Sequence, residues 1–385
     1  MIPYGRQDIS DDDVAAVVAV LRSEWLTQGP AVDRFEQAVA QYCGAQYAVA
    51  VSNATAALHL ACLATGLGPG DALWTSPNTF VASANCALYC GARPDFVDID
   101  PATLNIGVDA LARRLADAQQ HGGLPKVLVP VHFAGQSCDM LRIGALARQY
   151  GIAVVEDASH AIGGRYLDAA VGSCQFSDMT VFSFHPVKIV TTGEGGMVLT
   201  NNEQLYEKLL LLRSHGITRD PVAMQAAPDG PWYYEQVALG FNYRMTDLQA
   251  ALGVSQMDRI DQFVERRQAL ARRYAVLLRS LPLVLPIEHP DASSATHLYV
   301  VRLRLDAIEA THRQVFEGLR ARGIGVNLHY IPVHTQPYYR ALGFARGDFP
   351  HAEQYYGEAI SLPMFPSLSE LAQDQVVAAL REVLR

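Results

Sequence analysis

Lysine is scarce in this chain of 385 residues. Lysine and arginine together number 30, but only Lys126, Lys188 and Lys208 are lysines. Arginine keeps its proton inside a protein, whereas lysine can lose it when its surroundings lower its pKa. Lys126 opens the apolar run KVLVPVHF and Lys208 lies on the polar side of a helical pattern, so both have ordinary structural explanations. Lys188 stands inside the apolar, glycine-rich stretch SFHPVKIVTTGEGG, and this position invites a chemical explanation.

Other absences narrow the class of protein. The net charge is −9 with no basic cluster, which argues against nucleic acid as the main partner. The first residues lack the regions of a signal peptide, and polar residues interrupt the most apolar stretch, so no membrane span is expected. The six cysteines form no CxxC pair, which favours free thiols and a cytoplasmic protein. His185, His329 and His334 fit neither HExxH nor a Cys/His cluster, so no metal site is expected.

Short apolar runs alternate with helical patterns over the first two-thirds of the chain. This alternation predicts a mostly parallel α/β sheet with helices on both faces. The runs DMTVFSF and GGMVLTN are separated only by the lysine stretch, so they are either an antiparallel or a crossover-linked pair. After a long helical pattern near residue 250, THLYVVRLRL and THRQVFEGLRARG indicate a strand and a helix. We therefore expect a large mixed-sheet domain over 1–254 and a smaller C-terminal α+β domain over 255–385.

Two acidic residues end the apolar run IAVVEDAS. Glu156 and Asp157 fall at the carboxyl end of a predicted buried parallel strand, which is the edge where open α/β sheets bind ligands. An acidic residue in this position serves equally well as the N-cap of the segment that follows. This feature alone leaves both roles open.

The stretch VSNATAALHL turns from a predicted strand into a predicted helix. The first N–H groups of that helix and the Thr55 hydroxyl would form an anion site, although an ordinary N-cap explains the same pattern. The Walker sequence GxxxxGK[ST] is absent, so nucleotide hydrolysis is not supported. Phe80 follows another strand end, in SPNTFVASAN, and either packs in the core or stacks on a planar ring.

Together these features suit pyridoxal 5'-phosphate (PLP). The cofactor requires a phosphate site, an aromatic neighbour, a carboxylate and one neutralisable lysine. The lysine amine forms a Schiff base, and the carboxylate keeps the pyridine nitrogen protonated so that the ring acts as an electron sink. We therefore predict a PLP enzyme in which Lys188 moves protons, with a pKa near the operating pH.

The sequence resembles the DegT/DnrJ/EryC1/StrS sugar aminotransferases over essentially its whole length. The motifs that carry this resemblance are EWLTQGP, SNATAALHLA, SPNTFVASAN, VVEDASHAIGG, SFHPVKIVTTGEGG, NYRMTDLQAALG and HYIPVHTQPYY. The resemblance implies a type I PLP-dependent transferase fold, like that of aspartate aminotransferase. It also implies that Lys188 forms the Schiff base and that Asp157 is the partner of the pyridinium nitrogen.

The same resemblance implies further site residues. The cofactor-binding positions are Ala54, Thr55 and Ser183 at the phosphate, Phe80 on the ring, His160 at the ring hydroxyl and Asn242 from the other subunit. The substrate-binding positions are Tyr4, Glu24, Trp25, Leu26, Thr27, His329, Tyr330 and Arg244, the last a candidate for the donor carboxylate. A residue that reaches across from another subunit implies a homodimer with shared active sites.

Within the family, LTQG, SHA, RSHG and GVNLHYIPVH most resemble the 4-aminotransferases of pseudaminic acid synthesis. This implies transfer of an amino group from L-glutamate to C4 of UDP-2-acetamido-2,6-dideoxy-β-L-arabino-hex-4-ulose. The alternative is another UDP-, GDP- or dTDP-linked 4-keto or 3-keto sugar. Related 3-dehydratases carry histidine in place of the Schiff-base lysine, so Lys188 argues against that activity. A non-catalytic nucleotide-sugar sensor is disfavoured because all the expected cofactor residues are present.

Overall fold

The computed structural model describes residues 1–384. The helices are α1 (Asp11–Leu21), α2 (Pro30–Cys43), α3 (Ala54–Ala64), α4 (Ala82–Tyr89), α5 (Val108–His121), α6 (Met140–Tyr150), α7 (Glu203–Arg213), α8 (Asp247–Met257), α9 (Ile260–Leu278), α10 (His312–Ala321), α11 (Pro337–Ala341), α12 (Pro350–Glu358) and α13 (Glu370–Val383). Short 3₁₀ turns cover Phe133–Gly135, Leu305–Ala307 and Val333–Thr335. No helix within residues 1–384 is long and apolar enough to cross a bilayer.

The strands form one large sheet and three small ones. In chain order they are β1 (Tyr47–Val51), β2 (Ala72–Thr75), β3 (Arg93–Phe96), β4 (Val127–Val129), β5 (Ala153–Asp157), β6 (Arg165–Tyr166), β7 (Ala169–Ala170), β8 (Met179–Ser183), β9 (Gly196–Thr200), β10 (Ile217–Thr218), β11 (Glu235–Gln236), β12 (Leu283–Val284), β13 (Ala292–Ser293), β14 (Tyr299–Leu303) and β15 (Ala359–Leu362). The small sheets are β10–β11, β12–β14–β15 and β13–β6–β7.

The large sheet has the strand order β1-β9-β8-β5-β4-β2-β3. Strand β9 is antiparallel to both of its neighbours, and the remaining pairs are parallel. The sheet is therefore mixed, as predicted, and β8 and β9 are the antiparallel pair that the sequence left open. Helices such as α3 and α4 pack on one face, while α2 and α8 pack on the other through a separate apolar cluster.

The lysine stretch is the loop that joins β8 to β9. All the residues of both strands are buried, which suits short apolar strands at the centre of a sheet. Their register pairs Ser183 with Gly196, and Gly196 pairs in turn with Val51 at the end of β1. The ends of β1 and β8 and the start of the loop therefore meet at one edge of the sheet, beside the carboxyl end of β5.

The C-terminal part of the chain builds a smaller antiparallel sheet from β12, β14 and β15. Helix α9 joins both parts, because Phe263 packs in the core beside α2 and α8 whereas Leu270 packs in the core beside β14 and β15. The boundary between residues 254 and 255 falls within α8, near its end. The division into domains over 1–254 and 255–385 stays a prediction.

Candidate active site

A cavity of about 1040 Å³ opens at the sheet edge where β1, β5 and β8 end. Its walls combine residues from the helix after β1, from the lysine loop and from residues 327–330, which follow α10. Ten of the residues that the sequence predicted for the site line this cavity. They are Tyr4, Ala54, Thr55, Phe80, Asp157, His160, Ser183, Lys188, His329 and Tyr330.

Lys188 is half-buried in the loop between β8 and β9. Its ammonium forms no salt bridge within residues 1–384, so no fixed partner holds its charge. Burial lowers the pKa of Lys188 to about 8, and the nearby Asp157 carboxylate opposes the shift only in part. Near physiological pH a far larger share of this amine is therefore neutral than of an ordinary lysine, and the neutral form is the one that acts as a nucleophile or a base.

Asp157 ends β5, where it both caps the following turn and lines the cavity, so its structural role does not exclude a role at the ligand. Its Oδ1 accepts hydrogen bonds from the Ser159 backbone N–H at 3.1 Å and the Ser159 hydroxyl at 2.6 Å, so the carboxylate caps the following turn. Its Oδ2 accepts a hydrogen bond from the Ser83 hydroxyl at 2.6 Å. Asp157 also lines the cavity together with Lys188. A carboxylate held in this way suits a ligand that presents a protonated ring nitrogen.

Glu156 is buried and does not line the cavity. Its carboxylate accepts hydrogen bonds from His132 Nε2 at 2.5 Å, from Thr180 at 3.1 Å and from the Ser177 hydroxyl. Burial raises the pKa of Glu156, but these hydrogen bonds outweigh burial and hold the pKa below its ordinary value. Glu156 therefore supports the sheet from behind the site.

The start of α3 fits a phosphate group. The Asn53 side chain accepts a hydrogen bond from the Ala56 N–H at 2.9 Å, while the N–H groups of Ala54 and Thr55 have no acceptor within residues 1–384. Free N–H groups at a helix start bind anions. Gly196 lets this helix start approach β9, because a Cβ at that position would collide with the Asn53 backbone.

Phe80 is 58% exposed, so it is not a core residue. It lines the cavity, with its ring centroid 6.2 Å from that of Tyr330. An exposed aromatic face on the cavity wall is available to a planar ligand. Of the two roles that the sequence left open for Phe80, the structure therefore favours stacking.

Imidazoles and a phenol form the cavity wall that faces the C-terminal part. His160 Nδ1 accepts a hydrogen bond from the Ala134 N–H at 3.3 Å, and its Nε2 lies 3.0 Å from the Tyr330 hydroxyl. Burial, helped by the charge of Lys188, lowers the pKa of His160 well below its ordinary value. The same causes lower the pKa of His329 to about 4. These rings are therefore neutral hydrogen-bonding groups.

His297 also lines the cavity, although no motif in the sequence indicated it. It is buried, with its ring centroid 4.6 Å from that of His160. Burial lowers its pKa well below the ordinary value. The residue lies just before β14, where a histidine has an ordinary structural explanation, so only the fold reveals its contact with the site.

Six predicted site residues do not line the large cavity. They are Glu24, Trp25, Leu26, Thr27, Asn242 and Arg244. Trp25 and Arg244 line a separate depression of about 460 Å³. Thr27 forms a β-bridge with Thr246, and Asn242 is exposed. Their roles in cofactor or substrate binding stay predictions.

The fold and the site define a PLP-dependent enzyme, because the available lysine, the strand-end carboxylate and the open helix start fit the cofactor. The chain matches the DegT/DnrJ/EryC1/StrS aminotransferase family over residues 7–381 and belongs to that family. It is thus a sugar aminotransferase of this family, and its substrates are in general a nucleotide-linked keto sugar and an amino donor.

Named relatives agree with this assignment. The chain is 40% identical to the spore coat polysaccharide biosynthesis protein SpsC of Bacillus subtilis, over 100% of this chain and 97% of that protein. Spr1654 from Streptococcus pneumoniae, in its PMP form, is 29% identical with a TM-score of 0.90 over 100% and 99% of the two chains. Helicobacter pylori PseC, an aminotransferase involved in the biosynthesis of pseudaminic acid, matches with the same identity, TM-score and coverage.

Proposed function

We propose that this enzyme transfers the amino group of L-glutamate to C4 of a UDP-linked 4-keto-6-deoxy sugar. The proposed substrate is UDP-2-acetamido-2,6-dideoxy-β-L-arabino-hex-4-ulose, and the product would enter pseudaminic acid synthesis. The observation that carries the proposal is Lys188, with its lowered pKa, in a cavity of about 1040 Å³. That volume is at the upper end for small-molecule sites, which suits a cofactor and a nucleotide sugar together. The similarity to PseC supports the choice of sugar.

A second candidate is another nucleotide-linked keto sugar. SpsC, at 40% identity, has a role in spore coat polysaccharide biosynthesis, and that name specifies no pseudaminic acid. The neutral imidazole wall of the cavity can donate to or accept from hydroxyl groups of several stereochemistries. A UDP-, GDP- or dTDP-linked 4-keto or 3-keto hexulose therefore remains the alternative to test.

In the proposed reaction, each site residue has a separate role. The chemistry that bound PLP supplies is an electron sink for the negative charge left when a proton is removed. Neutral Lys188 removes a proton from the donor carbon and returns one to the acceptor carbon in the reverse half-reaction. Asp157 would present a negative charge to the ring nitrogen, and the start of α3 would hold the phosphate. Phe80 would orient the ring by stacking.

We also propose a homodimer with shared active sites, in the cytoplasm. Large apolar side chains stand exposed on the single chain, among them Trp25, Leu26, Trp232 and Leu239. Exposed apolar surface of this kind supports a protein partner. Asn242 is exposed and close in sequence to Trp232 and Leu239, as a residue offered to a second subunit would be. The six free, buried cysteines suit a reducing compartment.

The test is a glutamate half-reaction followed by a panel of keto-sugar nucleotides, with products identified by mass spectrometry. The proposal predicts formation of 2-oxoglutarate and amination of the UDP-linked 4-keto sugar in preference to GDP- and dTDP-linked sugars. Lys188→Arg is the matched negative control. Amination of a GDP- or dTDP-linked sugar alone would favour the second candidate, and a panel with no product after a complete half-reaction would contradict both.

A further inference from the structure

A chain of two hydroxyl groups ends on Asp157. Thr79 Oγ1 lies 2.7 Å from Ser83 Oγ, and Ser83 Oγ lies 2.6 Å from Asp157 Oδ2. Thr79 is 2% exposed, Ser83 0% and Asp157 5%, so these contacts are shielded from bulk water, although Thr79 and Asp157 also line the cavity. Thr79 stands in the loop before α4, and Ser83 is the second residue of that helix. The predicted ring-stacking residue Phe80 lies between them.

The direction of these hydrogen bonds follows from the protons available. An ionised carboxylate only accepts, so the single hydroxyl proton of Ser83 is donated to Asp157. The Phe80 carbonyl, 3.3 Å from Ser83 Oγ, is a poorer acceptor at a longer distance. With its proton committed, Ser83 accepts from Thr79. Both hydroxyl dipoles therefore point toward Asp157.

An acceptor count then distinguishes the two oxygens of Asp157. A carboxylate offers about four lone-pair sites, two on each oxygen. Oδ1 already accepts two hydrogen bonds from Ser159, whereas Oδ2 accepts one, from Ser83. The remaining site is on Oδ2, and Asp157 lines the cavity that holds Lys188.

We propose that Thr79 and Ser83 position Asp157 so that Oδ2 is the oxygen that receives the protonated ring nitrogen of PLP. This inference rests on the proposed role of Asp157. Ser83 does not line the cavity and acts through that carboxylate, and Thr79, which does line the cavity, acts on the carboxylate through Ser83; both are positioning residues. Without the Ser83 hydroxyl, Oδ2 is free to rotate or to bind water. Its hydrogen bond to the ring nitrogen then weakens, and the protonated form of the ring becomes less stable.

Glu156, the residue before Asp157 on β5, offers a matched control through its own serine partner, Ser177. The Ser177 hydroxyl donates to the carboxylate of Glu156, as the Ser83 hydroxyl donates to that of Asp157. Ser83→Ala and Ser177→Ala each remove a hydroxyl group that donates to a buried carboxylate of β5. Of the two serines, only Ser83 donates to a carboxylate that lines the cavity. A general loss of packing would affect both variants alike.

The experiment measures the dissociation constant of PLP, the pH dependence of the absorbance of bound PLP, and kcat and KM for glutamate. Ser83→Ala should raise the PLP dissociation constant about ten-fold and lower kcat, with little change in KM, because a hydrogen bond to a charged group is lost. Its absorbance should titrate at a different pH from wild type. Ser83→Thr should restore these values, and Thr79→Val should change them in the same direction to a smaller extent. Ser177→Ala should leave PLP affinity and the absorbance profile unchanged.

Asp157→Asn separates the two ways in which this account can fail. If Asp157→Asn impairs PLP binding and the absorbance profile while Ser83→Ala and Thr79→Val do not, the hydroxyl chain has no positioning role and the role of Asp157 stands. If Asp157→Asn changes neither, the proposed role of Asp157 is itself wrong. Equal effects of Ser83→Ala and Ser177→Ala would also overturn the inference. Should Ser83→Ala not fold, Thr79→Val and Ser83→Thr decide by the same measurements.

Discussion

Glu156 and Asp157 are consecutive carboxylates on β5 that serve opposite sides of the sheet. Asp157 lines the cavity with Lys188, whereas Glu156 accepts hydrogen bonds from His132, Ser177 and Thr180 behind it. Successive side chains of a strand point to opposite faces, so one strand end supplies both a ligand group and a structural anchor. A substitution of Asp157 should therefore affect catalysis, and a substitution of Glu156 should affect stability.

Asp157→Asn should lower kcat at least about a hundred-fold, because the protonated ring nitrogen of PLP loses the carboxylate that stabilises its charge. The folded state should survive, since an amide oxygen still accepts from Ser159. Steady-state kinetics with glutamate, alongside thermal unfolding, measure the two effects. A variant with near-normal kcat would contradict the assignment of Asp157.

Glu156→Gln should show the reverse pattern. Its amide cannot accept all the hydrogen bonds that the carboxylate accepts, so the free energy of unfolding should fall by about 2–3 kcal/mol. The folded fraction should keep most of its activity, because Glu156 does not line the cavity. Urea unfolding and kcat per folded molecule test this pair of outcomes. Loss of activity with unchanged stability would argue that Glu156 belongs to the site.

Lys188→Arg should abolish transamination although the positive charge is kept. Arginine neither forms the Schiff base nor loses its proton at working pH. Production of 2-oxoglutarate from glutamate is the measurement, with Lys126→Arg as the control, because Lys126 pairs with Asp71 far from the cavity. Turnover close to wild type in Lys188→Arg would refute its role.

The rate at which the cofactor-free protein captures PLP should rise with pH. Only the neutral amine attacks, and burial lowers the pKa of Lys188 to about 8. Below pH 8 the amine is mostly protonated, so the rate should fall about ten-fold per pH unit, and above pH 8 it should level off. Stopped-flow absorbance measures the profile. A midpoint near the pKa of an exposed lysine would show that burial does not activate Lys188.

Mixing two inactive variants tests the proposed shared sites. Lys188→Arg and Asn242→Ala, unfolded and refolded together in equal amounts, should recover about a quarter of wild-type activity, because each mixed dimer contains one intact site. Each variant refolded alone serves as the control. If Asn242 acts within its own chain, or not at all in the site, the mixture will gain no activity over the controls combined.

The sheet and its site edge were predictable because alternation of apolar runs and helices is a local property of the sequence. That pattern fixed where Asp157 and Thr55 would lie, at strand ends that share an edge. The pairing of β8 with β9 was left open, since local pattern does not specify which strand lies beside which. The place of Lys188 on the cavity wall was predictable from its setting, because a lysine in an apolar, glycine-rich loop has few structural explanations, and its catalytic role stays a prediction.

Ser83, Thr79 and His297 were not predictable as parts of the site. A serine or threonine near a helix start is ordinary, and the partner of Ser83 is 74 positions away in the chain. Their place beside the site arises only in the fold, where Ser83 meets Asp157 and His297 meets His160. Trp25 and Arg244 present the opposite case, because family resemblance placed them in the site while the single chain holds them outside the large cavity.

The central claim is that Lys188 carries the cofactor. Borohydride reduction of the PLP-loaded enzyme, followed by proteolysis and mass spectrometry, identifies the modified lysine directly. The chain offers only three lysines for comparison. The account predicts a reduced PLP adduct on the peptide containing Lys188 and none on those containing Lys126 or Lys208. An adduct on either of the other two lysines, or none at all on the loaded enzyme, would contradict it.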